Sequence, residues 1–347
     1  FKPFHEASGG WFWWGLPDPT TFKTLYAALQ ARAAERGVHN LLWAYAANPN
    51  MHSGNQDPLT LLPDLGEKRL KSMDDNGIDV QVLSVSGPGA ELMEGQTGID
   101  IAKGVNDGLK EAMSKHPTRY QGFAHMPLRS PDVSAKELER CVKQLGFCGA
   151  IVNGTIDGKF LDDPQFDAVL AAAVQLDVPV YIHPHMPPRS VYEAYYSGLP
   201  GSAGVGISTA GWGWHSETAI HVLRMVFNGT FDKHRNLKVI IGHMGEGLPL
   251  MLARLDDVAT IHAKHLSRKI SETILDQVWL TTSGMFTTPP LLACLQTFGL
   301  DRVMFSVDYP YAHNEQGAEF LKKLDFSPAD MAKFCHGTAD KLLKLKA

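Results

Sequence analysis

Short apolar runs rich in β-branched residues alternate along this chain with longer stretches of helical period. The runs lie at 80–85 (VQVLSV), 121–128 (QGFAHMPL), 147–154 (FCGAIVNG), 178–183 (VPVYIH), 237–243 (LKVIIGH), 278–284 (VWLTTSG) and 303–308 (VMFSVD). A helix candidate precedes each. The first, LGEKRLKSMDDNG, closes at Gly77; SPDVSAKELERCVKQLG has Ser130 as a plausible cap and Gly146 as a stop. Strict alternation of this kind predicts a parallel sheet. Seven runs, with an eighth available in the opening FKPF, favour a closed (β/α)8 TIM barrel, one domain over residues 1–347. A doubly wound open sheet is the competitor, but no GxGxxG supports a dinucleotide site.

The runs end in chemistry. The strand at 303–307 stops at Asp308, the one at 178–182 at His183, and the one at 237–241 delivers His243 with Glu246 just beyond. The opening FKPF would deliver His5 or Glu6. In a barrel these groups share the C-terminal rim, where catalytic residues gather. A carboxylate at the tip of a buried strand is costly unless paired. Imidazole and carboxylate together suit Zn²⁺ and other first-row divalent ions. Any one strand-tip histidine is more often a hydrogen-bonded structural residue than a ligand; four polar tips in strand order are harder to explain that way. Trp11, Phe12, Trp13 and Trp14 follow the first tip. They read either as an apolar plug or as a lid, with Trp13 and Trp14 walling an aromatic ligand.

Composition narrows the function classes. A net charge of −5 argues against nucleic acid as a partner. No apolar run approaches the roughly 20 residues that cross a bilayer, so no membrane partner is expected. The four cysteines have no metal-like spacing and read as free thiols in a reducing, cytoplasmic setting. The chain starts at Phe1 rather than Met, so an upstream or removed segment stays open. NGT at Asn153 and Asn228 fits a glycosylation acceptor, a weak pattern.

The stretches YIHP, VIIGHMGE, WLTTSGMF and MFSVDYPY, in that order, resemble the amidohydrolase-superfamily branch of metal-dependent, non-oxidative aromatic acid decarboxylases. That branch includes the dihydroxybenzoate, salicylate and γ-resorcylate decarboxylases and is related to aminocarboxymuconate-semialdehyde decarboxylase. RCVKQLGFCGAIVNG and HVLRMVFNGTFDKHRNLKVII extend the likeness, which covers roughly residues 65 to 345. It implies a carboxy-lyase acting on a small hydroxylated aromatic acid, and His183 and Asp308 as metal ligands. It further implies His243 over the substrate with Glu246 orienting it, and Asn153 facing the pocket. Tyr311 would flank the ring, and Arg254 would meet a carboxylate or a neighbouring subunit. Asp308 is the candidate proton donor. A homodimer or homotetramer is the expected assembly.

Two departures qualify the likeness. The branch carries EEA or EEH at the first strand tip, where this chain has HEA at 5–7. If the registers match, His5 replaces the first carboxylate, and Glu6 is the second candidate. A donor set richer in nitrogen favours Zn²⁺, with Mn²⁺ or Mg²⁺ as alternatives. The second departure is the Gly- and aromatic-rich segment 194–217, which has no regular period and could reshape the pocket. Strand 4 offers no lysine for a bridging carbamate, so the resemblance implies one metal ion. The rival functions are a metal-dependent hydrolase or hydratase on the same barrel and a metal-free binding protein.

Overall fold

The computed structural model describes residues 61–345 apart from Pro88. The opening strand at 1–4, His5, Glu6, Trp13 and Trp14 lie outside the described residues. Seven strands run in chain order through one sheet, every neighbouring pair parallel: β1 (Gln81–Leu83), β2 (Tyr120–His125), β3 (Gly149–Asn153), β4 (Val180–His183), β5 (Val239–Ile241), β6 (Val278–Thr281) and β7 (Val303–Met304). A doubly wound sheet would show a reversal of strand order, and none occurs.

The helices that follow the predicted pattern are α1 (Glu67–Asp75), α2 (Gly95–Lys115), α3 (Pro131–Arg140) and α4 (Asp167–Leu176). Between β4 and β5 lie α5 (Arg189–Tyr195), α6 (Ala203–Ser208) and α7 (Gly213–Phe227). Then come α8 (Leu252–Ala259), α9 (Ile270–Gln277) and α10 (Thr288–Phe298). Their apolar faces and the outward face of the sheet share one large core. The inward face of the curled sheet supplies a second, smaller core. Each strand gives it one side chain: Val82, Phe123, Ile151, Tyr181, Ile240, Trp279 and Met304, packed with Leu342 and Leu343. Gly149 is required opposite Phe123, because a Cβ there would stand 2.8 Å from the ring and from the Pro179 carbonyl.

Paired strand is shorter than the apolar runs, mostly at the C-terminal ends. Burial sets the runs; pairing stops earlier, where the backbone turns into the rim loops. Beyond β6 and β7 hydroxyl groups take over the ladder. Thr282 Oγ1 donates to the Ser306 carbonyl at 2.5 Å and accepts from the Ser306 N–H at 2.8 Å, and the Ser283 N–H reaches Ser306 Oγ at 3.0 Å.

Among the described residues β7 and β1 do not pair, and side chains bridge the seam between them. Ser86 Oγ meets the Tyr311 hydroxyl at 2.7 Å, the Arg69 guanidinium lies over the Tyr309 ring at 4.7 Å, and Asn314 Nδ2 donates to Ser72 Oγ at 3.0 Å. A cavity of about 450 Å³ runs along this seam to the rim, with apolar residues of β1 and β7 on its walls and His183 and Asp308 among its lining residues.

The four cysteines are free, as expected. Asn153 is buried, which closes the first NGT; Asn228 is exposed and bonds Asp162 through its side-chain amide.

Candidate active site

Four strand ends build the site. His183 closes β4; His243 and Glu246 follow β5; Ser283 follows β6; Asp308 stands four residues past β7. The backbone here is held in unusual conformations. His243, Met244 and Glu246 have φ of 47°, 55° and 56°, Ser283 has 38° and Asp308 has 71°. Among the described residues these five are most of the non-glycine residues with positive φ, a conformation costly for L-residues. Such strain concentrated on one rim marks a place where side-chain direction matters more than backbone comfort.

The geometry centres on Glu246, whose side chain is fully buried. Its Oε1 lies 2.7 Å from His243 Nδ1 and its Oε2 lies 2.5 Å from His215 Nδ1. The carboxylate therefore sits between two imidazoles. Burial alone would raise its pKa, but the two histidines outweigh burial and hold it below the usual carboxylate range. Burial likewise disfavours a charged His243, yet the Glu246 carboxylate and the Asp308 carboxyl raise its pKa to about 9. With Nδ1 on Glu246, His243 turns Nε2 toward Asp308, 4.0 Å from Oδ2.

Asp308 has its pKa pushed up to about 6 by burial, an effect only partly offset by His243. Its side chain keeps 29% of its surface and lines the cavity, so the carboxyl is sheltered but reachable. The His183 ring lies 6.4 Å from that of His243, and burial holds its pKa down to about 4, so it is a neutral imidazole at physiological pH. Its Nδ1 is buried without a hydrogen-bond partner among the described residues. A neutral buried imidazole with an unsatisfied nitrogen, lining the same cavity as a carboxyl, fits a divalent-metal site. Behind it, the Tyr181 hydroxyl bonds Ser283 Oγ at 2.9 Å.

The other anticipated residues divide. Tyr311 is at the rim, fixed to Ser86. Asn153 is buried at the tip of β3, in register with His183 and against Gly87. Arg254 is not brought to the cavity: it is exposed on α8, whose buried face carries Leu252. His215 was not anticipated. It has no strand-tip signature; its only signal is a histidine opening the helical run of α7, inside the segment without period.

Comparison with known proteins settles the class. The amidohydrolase family profile matches residues 38–345. The chain belongs to the amidohydrolase family. Among members of that family, γ-resorcylate decarboxylase of Rhodococcus jostii (strain RHA1) is 38% identical over 298 residues, covering 82% of this chain and 89% of that one. A crystal structure of dihydroxybenzoic acid decarboxylase from Polaromonas sp. JS666, with bound manganese and the inhibitor 2-nitroresorcinol, is 35% identical with a TM-score of 0.76, over 82% of this chain and 87% of the other. One of 5-carboxyvanillate decarboxylase from Novosphingobium aromaticivorans, complexed with manganese and 4-hydroxy-3-methoxy-5-nitrobenzoic acid, is 29% identical with a TM-score of 0.79, over 93% and 92%. Within the amidohydrolases the protein is thus a non-oxidative decarboxylase of aromatic acids, a carboxy-lyase with a divalent-metal site. Residues 1–57 match a different profile, glycosyl hydrolase family 26. A mannan endo-1,4-β-mannosidase of Thermothelomyces thermophilus is 42% identical over 57 residues, 16% of this chain and 12% of that one. The expectation of a single domain over 1–347 meets this: the decarboxylase likeness carries the barrel, and a second likeness falls on the opening segment. No helix among the described residues is long and apolar enough to cross a membrane.

Proposed function

We propose that the protein decarboxylates a benzoate bearing a hydroxyl ortho to the carboxylate, of the 2,6-dihydroxybenzoate kind, with Asp308 as proton donor. The observation that carries the reading is Asp308 itself: a cavity-facing carboxyl whose pKa burial raises to about 6, 4.0 Å from an imidazole held positive by Glu246. A carboxyl poised this near neutrality can hold a proton when substrate binds and release it to the ring.

The substrate ring enters the cavity between the rim loops, and Tyr311 stands beside the opening. His243, kept charged and aimed by Glu246, faces the substrate's anionic oxygens and offsets their charge. Asp308 gives its proton to the ring carbon that bears the carboxylate. The C–C bond electrons return to the ring as CO₂ leaves, and aromaticity is restored. Asp308 ends as a carboxylate and regains a proton from water. The sheltered cavity keeps bulk water from levelling these pKa values. A divalent ion held by His183 and Asp308 would supply chelation of the substrate's carboxylate and ortho oxygen.

The remaining ligand, proposed from sequence as His5 or Glu6, falls in the stretch that resembles glycosyl hydrolase family 26, outside the described residues. The zinc preference rested on His5. The solved relatives hold manganese, so we assign the site to a divalent ion of that class. Trp13 and Trp14, proposed as a lid, belong to the same stretch. Assembly as a homodimer or homotetramer stays part of the proposal.

The test is a panel of hydroxylated benzoates incubated in D₂O with manganese-loaded protein. CO₂ release with one deuteron at the vacated carbon of 2,6-dihydroxybenzoate is expected. Hydrolysis of added lactones with no CO₂ from any acid would overturn the reading.

A further inference from the structure

The segment 194–217 separates this chain from a plain β/α repeat, and in the structure it has a destination. It folds as the end of α5, then α6, then the first turn of α7, and it delivers His215 to Glu246. Close backbone packing makes that delivery possible. Gly213 passes Ser208 so tightly that a Cβ would stand 2.2 Å from the Ser208 carbonyl oxygen. The Trp214 N–H bonds the Thr209 carbonyl at 3.1 Å, and the His215 N–H bonds the Trp212 carbonyl at 3.0 Å. Glycine at 213 is thus a condition for the turn that carries the histidine.

Both nitrogens of His215 are engaged. Nε2 lies 2.9 Å from the Ala210 carbonyl, which can only accept, so Nε2 carries a proton. Nδ1 lies 2.5 Å from Glu246 Oε2, and one proton must lie between them. The ring stands edge-on to His243, centroids 4.8 Å apart. Glu246 is thereby gripped from two sides and cannot rotate without breaking a buried hydrogen bond.

We infer that His215 is a positioning residue for the decarboxylation. By occupying Oε2 of Glu246 it locks the carboxylate so that Oε1 holds His243 Nδ1 and leaves Nε2 facing Asp308. His215 itself does not touch the substrate. Without it, Oε2 is an unsatisfied acceptor in a closed site, and the carboxylate turns to recover a partner. His243 then loses its fixed orientation, and turnover falls more than substrate binding.

The kinetic part rests on the decarboxylase reading; the hydrogen-bond part does not. Two variants separate positioning from bulk. His215→Phe keeps a ring of similar size and removes both nitrogens. His215→Asn keeps a donor near the place of Nδ1. With manganese-loaded enzyme, His215→Phe should lower kcat roughly 10- to 100-fold with KM and bound manganese little changed, and His215→Asn should recover most of the loss. In ¹⁵N-histidine-labelled protein, the hydrogen-bonded Nδ1 proton of His243 should broaden or shift in His215→Phe and return in His215→Asn, whatever acid the enzyme takes. An unchanged His243 signal in His215→Phe would overturn the inference. So would an Asn variant no better than Phe, or a kcat loss that only tracks the unfolded fraction. If the His243 signal responds as expected while wild-type protein releases no CO₂ from any acid, the Glu246 lock stands and the decarboxylase reading falls.

Discussion

Histidines end both β2 and β4, and their fates differ. His125, at the tip of β2, is fully buried; its Nε2 accepts the Ala90 N–H at 2.7 Å, and Asn106 bonds its backbone N–H and C=O at 2.9 and 2.8 Å. His183, at the tip of β4, lines the large cavity and has a buried Nδ1 without a partner among the described residues. Both strands are short, parallel to their neighbours and part of one sheet. The loops around their tips differ: the chain after β1 folds back over His125, while among the described residues His183 lines the large cavity. A polar strand tip is therefore only an offer. The neighbouring loops decide whether it is sealed as structure or kept for chemistry, and the rim from β4 to β7 is kept, with strained backbone as the cost.

The sharpest way to break this contrast is at the functional side. Asp308→Asn should lower kcat at least about 100-fold, because the general acid is gone, while the fold stays intact by circular dichroism. A variant with more than a tenth of wild-type kcat would remove Asp308 from its role.

The paired histidine variants come next. His183→Ala should abolish manganese binding and turnover but leave the Tm of chelated protein within a few degrees of wild type. His125→Ala should do the reverse: about 1–3 kcal/mol of stability lost from an unsatisfied buried amide, with turnover per folded enzyme unchanged. Equal losses of stability in the two would erase the distinction.

A smaller effect should appear as pH dependence. Glu246 is held low, since His243 and His215 outweigh burial, and an acid held low stabilises the fold above its unfolded value of about 4.3, a gain lost as pH falls. His243 is held high, at about 9, and a base held high stabilises below its unfolded value of about 6.5, a gain lost as pH rises through 9. In chelated protein the Tm difference between wild type and His243→Gln should be widest near pH 5 to 6.5 and should shrink toward both pH 4 and pH 9. A difference that grows toward pH 9 would mean that the pairing is wrongly signed.

The smallest effect is expected at Arg254. Exposed on α8 and outside the cavity lining, Arg254→Ala should change stability by less than about 0.5 kcal/mol and leave kcat/KM unchanged. A tenfold loss of kcat/KM would show that the residue reaches the substrate after all, for instance across a subunit boundary.

Some of this protein was fixed by local sequence. Apolar runs alternating with helical periods specify a parallel sheet in chain order, because each run is buried on both faces and each helix must cover the next. The same runs name their own tips, so His183, His243 and Asp308 could be read directly, and Glu246 three residues past His243 with them. Tertiary structure decided the rest. Nothing local distinguishes His125 from His183, since the difference lies in distant groups, Ala90 and Asn106 for one and the residues lining the large cavity for the other. Nothing local announces His215, whose partner lies 31 residues away on another strand's loop. A helical arginine such as Arg254 turns outward or inward according to which face its neighbours bury. Periodicity records burial summed along an element; which polar group meets which is set by loops that bring remote residues to within one hydrogen bond, and that information exists only in the folded chain.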